Sequence, residues 1–274
     1  MIPKVEYYRF KALDDALRFL RQYPGSKILA GGTDLVVQLR SGKTAARKLV
    51  DISGIDELRY IRDEDGYIRI GALTTIEELK NSETVRDHAQ LLWKAANNFA
   101  VWQIRNIATI GGNICNASPA ADTVPPLIVL NARLRLQNVD RQREIKVEEF
   151  FKGPGETVME KDEILTEIVI PKKDSGWRYS FIKLGKRHSH ILSIVNVAVG
   201  LKTYKDMIED VIVALGSVAP TPVRARSVED YLKNHRITRT RLEEASQQVV
   251  KDIKPISDIR ASAEYRIEMS KILV

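Results

Sequence analysis

Two glycine doublets are the residues of this chain whose type and spacing suggest chemistry. They lie in residues 30–35 (Ala-Gly-Gly-Thr-Asp-Leu) and 108–113 (Ala-Thr-Ile-Gly-Gly-Asn), and each follows a stretch that can form a strand. Because glycine has no Cβ, backbone amides there can approach a ligand and form an anion-binding nest, to which a following helix adds positive charge. The pair predicts a cradle for an extended anion such as a pyrophosphate. Two ordinary tight turns are the alternative.

Polar side chains accompany both doublets. Thr33 and Thr109 could donate their hydroxyls to phosphate oxygens, or be satisfied by their own backbone. Asn113 offers both a donor and an acceptor. Asp122 could accept from a sugar hydroxyl or cap a helix, and its spacing favours the cap. Neither doublet has the spacing of the G-x-G-x-x-G or Gly-Lys-Ser/Thr phosphate motifs.

Metal ligation and nucleophilic catalysis find little support in the sequence. The four histidines are His88, His188, His190 and His235, and no Cys or acidic residue near the His188–His190 pair completes a metal site. No serine lies in a G-x-S-x-G elbow. Cys115 is interpreted as a small apolar filler. We therefore expect neither a metal site nor a catalytic residue on this chain.

Composition excludes further classes of function. Among 274 residues, 43 Lys and Arg are interleaved with 36 Asp and Glu, so the net charge of +7 is better explained by a solvated surface than by nucleic-acid binding. A single cysteine excludes an internal disulfide and a cysteine-ligated cluster built from this chain. No apolar run could span a bilayer, and the first residues do not read as a signal peptide, so we expect a cytoplasmic protein.

Hydrophobic spacing predicts the elements that position the first doublet. A helix is expected over 11–22 and strands over 27–30 and 48–52, so that residues 1–55 form a compact α/β unit. An Asp65-Gly66 hairpin and a capping box at Thr74 or Thr75 follow. A helix over 87–99 precedes the second doublet, and another begins at 118 and ends at 130.

The second half of the chain shows a different pattern. Strands are predicted over 133–137 and 164–170, and then over 177–185, 194–204 and 211–218 in antiparallel order. Helices are predicted over 227–234, 240–252 and 261–273. Strands followed by helices indicate a separate α+β domain with a three-stranded sheet. We expect a first domain over 1–172, with subdomains 1–55 and 56–172, and a second over 173–274.

Four segments, in this order, resemble the FAD-binding (medium) subunit of the molybdenum hydroxylases, the family of xanthine dehydrogenase, carbon monoxide dehydrogenase and the aldehyde oxidoreductases. The resemblance covers nearly the whole chain. The segments are ILAGGTDL (28–35), TIGGNICNASPAAD (109–122), GSVAPTPVRA (216–225) and SDIRASAEYR (257–266).

The resemblance implies an α+β fold in which a two-part FAD-binding domain of the vanillyl-alcohol-oxidase type precedes an α+β C-terminal domain. It implies that the two doublet segments hold the FAD pyrophosphate and that further positions contact the flavin nucleotide, which favours a ligand role for Asp122 over a pure cap. The implied FAD-binding residues are Ile28, Leu29, Ala30, Gly31, Gly32, Thr33, Asp34, Leu35, Thr109, Ile110, Gly111, Gly112, Asn113, Ser118, Ala121, Asp122, Leu165 and Lys183.

The implied function is that of a FAD-binding electron-transfer subunit. A large subunit would carry the molybdenum cofactor and a small subunit the iron–sulfur clusters, in a hetero-oligomer such as a dimer of heterotrimers, without nucleic acid and without a membrane span. Oxidation of an aldehyde of the glyceraldehyde type is the leading reaction; carbon monoxide, xanthine, nicotinate and aromatic acyl-CoA stay open. A stand-alone flavoprotein oxidase and a non-catalytic FAD module are the alternatives. Residues 186–195 lack the acidic residue that relatives often place there.

Overall fold

The N-terminal unit is a small parallel sheet with two helices. In the computed structural model, which describes residues 4–187 and 192–274, the strand order is β1-β3-β2. The amphipathic helix α1 buries Leu13, Ala16, Leu17 and Leu20 against this unit. Its strands are β1 (Glu6–Arg9), β2 (Lys27–Leu29) and β3 (Lys48–Asp51), and its helices are α1 (Leu13–Gln22) and α2 (Leu35–Arg40).

The second unit is a five-stranded antiparallel sheet covered by short helices, with strand order β4-β5-β10-β6-β7. A separate two-stranded ribbon pairs β8 with β9. The strands are β4 (Ile61–Glu64), β5 (Tyr67–Gly71), β6 (Arg133–Gln137), β7 (Gln142–Lys146), β8 (Phe151–Gly153), β9 (Glu156–Thr157) and β10 (Ile164–Pro171). The helices are α3 (Ile76–Asn81), α4 (Glu83–His88), α5 (Gln90–Asn97), α6 (Trp102–Arg105), α7 (Ile110–Cys115) and α8 (Val124–Val129).

The C-terminal unit is an antiparallel sheet, β11-β12-β13-β14, followed by three helices. Its strands are β11 (Trp177–Leu184), β12 (Val195–Tyr204), β13 (Met207–Gly216) and β14 (Val223–Arg224), and its helices are α9 (Arg226–Leu232), α10 (Arg239–Gln248) and α11 (Ala263–Leu273). One face of this sheet packs on its own helices. The other contributes Ala198, Ile212 and Ala214 to the main core of the second unit, so the two units share a buried interface.

Several sequence predictions are confirmed by this arrangement. The hairpin turns at Asp65 and Gly66, whose φ angles are 52° and 79°, as a two-residue turn of the primed type requires. Thr75 forms the predicted capping box with Glu78. The α+β architecture is as expected, with the short strand β14 added to the three predicted C-terminal strands.

Other predicted elements are wrong in their limits. The helix expected over 87–99 is two helices, α4 and α5, separated at Ala89, which has φ −130° and is fully buried. Tertiary packing therefore overrides helix propensity there. The helix expected from 118 begins at Val124, with its two prolines in the first turn. Among the described helices, none is long and apolar enough to cross a membrane.

Candidate functional site

The first doublet follows strand β2, as predicted, and precedes helix α2, which the sequence analysis did not predict. Each of its glycines has a structural reason. A Cβ on Gly31 would lie 1.8 Å from the carbonyl oxygen of Ile107, so this loop rests directly on the segment that leads to the second doublet. Gly32 has a φ of +71°, which favours glycine. The first doublet is therefore in contact with Ile107 and Ala108, just before the second doublet.

The free backbone amides of this first loop indicate a ligand site. Within residues 4–187 and 192–274, the N–H groups of residues 30–34 donate no hydrogen bond to protein atoms. Amides that lack a protein partner in a turn before a helix are the donors of an anion-binding nest. The first loop therefore has the free donors that an anion-binding nest requires, and the binding of an anion there stays a prediction.

The second doublet differs from the prediction, because it lies in the first turn of α7 and follows helix α6 rather than a strand. Thr109 is the N-cap, and its hydroxyl oxygen accepts from the Gly112 amide at 3.0 Å. The Gly111 amide donates to the carbonyl oxygen of Ala72 at 2.9 Å. These amides are already used, so the second doublet is not a second nest.

The two glycines of the second doublet allow other groups to come close to the backbone. A Cβ on Gly111 would lie 2.7 Å from both Cβ and the carbonyl oxygen of Ala72, so this glycine is required by packing. Gly112 is exposed, and an added Cβ would meet only the Thr109 hydroxyl, at 2.9 Å. Its φ is outside the left-handed region, so the backbone does not require glycine at this position. The missing side chain leaves the cavity open next to Gly112.

Both doublets line one cavity of about 540 Å³. Apolar walls come from Ile52, Leu73, Phe99 and Met159. The charged residues of the lining are Lys27 and Lys161, which are positive, and Asp34, Glu160 and Glu163, which are acidic. Twelve predicted site residues lie on its surface: Ile28, Ala30, Gly31, Gly32, Thr33, Asp34, Leu35, Thr109, Gly111, Gly112, Asn113 and Leu165.

A second depression, of about 290 Å³, continues from this cavity. Thr33, Asp34 and Asn113 line both. Its other predicted residues are Ser118, Ala121 and Asp122. Asn113 accepts a hydrogen bond from the Thr123 hydroxyl at 2.6 Å, and its own amide nitrogen has no partner in the described part of the chain, so it can donate to a ligand.

Three predicted residues do not line either depression. Ile110 is fully buried in the main core, and Leu29 packs beneath Gly32. Lys183 is half-buried, and its ammonium donates to Asp122 Oδ2 at 2.6 Å and to the Asn98 carbonyl at 3.0 Å. Lys183 is thus linked to the second depression by its ion pair with Asp122, which lines that depression.

Asp122 is not the helix cap that its spacing favours. Thr123 precedes α8, and the Asp122 carboxylate instead accepts from Ser193 Oγ at 2.5 Å and Asn196 Nδ2 at 3.1 Å, besides Lys183. All three partners belong to the C-terminal unit and follow 61 to 74 residues later. Local sequence carries no signal for such distant partners.

Burial raises the pKa of two titratable groups that line the cavity, Asp34 and Cys115. Asp34 is open to the cavity, but the surrounding protein desolvates its carboxyl and raises its pKa. Burial also raises the pKa of the Cys115 thiol to about 12, and its sulfur lies 3.6 Å from that of Met159. A protonated thiol packed on a thioether fits the predicted filler role rather than a nucleophile.

Sequence reasoning missed several cavity residues. Gln38 donates to Asn116 at 3.0 Å and thereby ties the helix after the first doublet to the end of α7. Met159 and Lys161 come from a loop without any recognisable motif. In the described ranges, no group of three or more His, Cys, Asp or Glu residues could hold a metal. The predicted His188–His190 feature lies outside the described residues.

Known proteins similar to this chain carry FAD-binding names. Residues 3–173 match the family model described as the FAD binding domain in molybdopterin dehydrogenase, and residues 180–274 match that of the CO dehydrogenase flavoprotein C-terminal domain. The putative xanthine dehydrogenase FAD-binding subunit of Escherichia coli strain K12 is 34% identical, over 98% of this chain and 93% of its own length. The glyceraldehyde dehydrogenase medium chain of Sulfolobus acidocaldarius is 32% identical, over 99% and 96%.

A solved structure agrees with these matches. Carbon monoxide dehydrogenase from Hydrogenophaga pseudoflava superimposes with a TM-score of 0.97 at 30% identity, over 100% of this chain and 95% of that one. The two domain models together match nearly the full chain. This protein is therefore the flavoprotein component of an oxidoreductase, and it belongs to the family of FAD-binding medium subunits of the molybdenum hydroxylases.

Proposed function

We propose that the continuous cavity is the FAD site and that this chain is the electron-transfer subunit of a three-chain molybdenum hydroxylase. The observation that carries the proposal is that residues 30–34, whose amides have no hydrogen-bond partner in the described part of the chain, line the same cavity as Gly112, which has no side chain. The amides would bind the pyrophosphate, and the missing Cβ of Gly112 leaves room for it. The residues present therefore fit the cofactor that the family binds.

Each part of the chain has a distinct role in this proposal. Asn113 and Thr33 would donate to the phosphates or to the ribityl chain, and the apolar walls exclude water. When bound, FAD supplies reversible redox chemistry between iron–sulfur clusters of a partner subunit and an external acceptor. We assign residues 1–172 to the FAD-binding domain, with subdomains 1–55 and 56–172, and residues 173–274 to the C-terminal domain.

Substrate oxidation would take place on a large subunit with the molybdenum cofactor, and the clusters would belong to a small subunit, in a cytoplasmic hetero-oligomer such as a dimer of heterotrimers. Cys115 cannot ligate a cluster alone, which supports this division of cofactors. We propose an aldehyde of the glyceraldehyde type as the first substrate to test, supported by the glyceraldehyde dehydrogenase relative. Relatives named for xanthine, nicotinate and carbon monoxide define the rest of the substrate panel.

The test begins with the visible absorption spectrum of the purified chain and the identification of the chromophore released on denaturation. Released FAD, or uptake of added FAD in a 1:1 ratio, is the expected result. A colourless chain that takes up no FAD overturns the proposal. Reduction of the flavin by substrate only in the presence of the partner subunits is expected. Reduction by the isolated chain would instead support a stand-alone oxidase.

A further inference from the structure

The two C-terminal motifs, residues 216–225 and 257–266, have no part in the cavity described so far. Arg266, at the end of the second motif, is buried with 2% of its surface exposed. Its guanidinium donates to the carbonyl oxygens of Ile194 at 2.6 Å and Ser217 at 3.0 Å, and to Asp258 at 2.8 Å. A buried cation held by carbonyls from two segments fixes those segments relative to each other.

The segments that Arg266 holds carry the partners of Asp122. Ser193 and Asn196, which flank Ile194, both donate to the Asp122 carboxylate, and the Ser217 hydroxyl donates to the Ser193 carbonyl at 3.0 Å. Gly216 belongs to this arrangement, because a Cβ there would lie 2.5 Å from Asn196 Oδ1. The first C-terminal motif therefore makes room for the polar cluster that the second one fixes.

This cluster ends on the wall of the second depression. That wall is the loop at residues 118–122, which lines the depression with Ser118, Ala120, Ala121 and Asp122. Besides the contacts to Asp122, the Ser217 amide donates to the carbonyl oxygen of Pro119 at 2.7 Å. The C-terminal domain thus holds this loop at its backbone and at its one buried carboxylate.

We propose that Asp122 is a positioning residue, and that the path from Arg266 through Ser193 and Asn196 lets the C-terminal domain set the wall of the second depression. The proposal rests on the assignment of the cavity to FAD. Its consequence is that both C-terminal motifs affect the affinity for FAD, although neither belongs to the nest at residues 30–34. FAD is long enough to occupy both depressions, whereas a nucleoside diphosphate needs only the nest.

The test compares FAD and ADP binding to variants of the full chain. Ser193→Ala removes one hydrogen bond to the Asp122 carboxylate, and Asp122→Asn removes the negative charge that Ser193, Asn196 and Lys183 contact. An affinity loss of about tenfold is expected for each. We expect this loss for FAD together with a change in the visible spectrum of the bound flavin. ADP affinity should stay within about twofold of wild type, because the nest is intact.

Ser270→Ala is the matched control. Ser270 is also a fully buried serine of the C-terminal domain, but its hydroxyl donates to the Arg266 carbonyl within α11. It should lower the thermal midpoint much as Ser193→Ala does while leaving FAD affinity and spectrum unchanged. A merely structural role for Ser193 predicts the same result for both serine variants.

The outcomes separate the two proposals. If the wild-type chain binds no FAD, the assignment of the cavity fails. If the wild type binds FAD and the folded Ser193→Ala variant binds it with the wild-type affinity and spectrum, the positioning path is wrong and the FAD site stands. An equal loss of ADP and FAD affinity would also overturn the path. Should Asp122→Asn fail to fold, Ser193→Ala decides alone.

Discussion

Substitution of Gly112 by valine tests the cofactor site most directly, because the structure separates its effect on binding from its effect on folding. An added Cβ meets only the Thr109 hydroxyl, at 2.9 Å, and the backbone φ of Gly112 is acceptable for any residue. Disturbing this N-cap costs about 0.5–2 kcal/mol. We therefore expect the free energy of unfolding of the apoprotein to fall by at most about 2 kcal/mol.

The effect on FAD should be larger. Because Gly112 and residues 30–34 line the same cavity, a valine side chain at Gly112 would take up space that the proposal assigns to the pyrophosphate. Displacing a diphosphate from its donors should lower FAD affinity by at least about a hundredfold, equivalent to about 2.7 kcal/mol. Fluorescence titration with FAD measures the affinity, and urea unfolding of the apoprotein measures stability.

Substitutions of two other glycines provide controls that should affect stability rather than FAD affinity. Gly111→Ala places a Cβ 2.7 Å from Ala72, an overpacking that costs about 1–3 kcal/mol, so its effect should be mainly on stability. Gly66→Ala strains a φ of +79° in a hairpin with open space around it, at a cost of about 1–2 kcal/mol, and should leave FAD affinity unchanged. A Gly112→Val chain that keeps a full complement of FAD would refute the proposed pyrophosphate position.

Three further predictions concern titration and capping. Since desolvation raises the carboxyl pKa of Asp34 in the folded protein, its ionised form opposes folding; Asp34→Asn should stabilise the apoprotein at pH 7, and the gain should vanish as the pH falls through about 4, as followed by urea unfolding. With a thiol pKa of about 12, Cys115 should react with iodoacetamide at pH 8 about a thousandfold more slowly in the folded chain than in urea, and equal rates would contradict its burial. Thr75→Ala removes the capping box of α3 and should lower the unfolding free energy by about 1 kcal/mol, while a change in FAD affinity would count against a purely structural role.

Sequence periodicity predicted most elements of the fold, because their determinants are local. The Asp65-Gly66 turn, the Thr75 cap and strand β10 depend on residues within a few positions of each other. The break between α4 and α5 was not predictable in this way, since the buried Ala89 at the break is itself a good helix former.

The candidate site shows the same limit. The first doublet could be recognised because a turn and a row of small residues are local features. The sequence predicts a loop at the second doublet, because small residues follow a stretch that can form a strand, whereas the structure has a helix there. Its helical form depends on the Thr109 cap and on the Gly111 amide bonded to Ala72, a residue 39 positions earlier. The partners of Asp122 were beyond local reasoning for the same reason.

The position of β10 in the middle of its sheet has a consequence for synthesis of the chain on the ribosome. Strand β5 ends at Gly71 and β6 begins at Arg133, but neither pairs with the other; β10, over Ile164–Pro171, lies between them. Until that strand emerges, both neighbours present unpaired backbone edges, which are sites of intermolecular pairing. The second unit therefore stays incompletely folded until about 60% of the chain has been synthesised, and truncation before residue 164 should yield aggregates rather than a smaller domain.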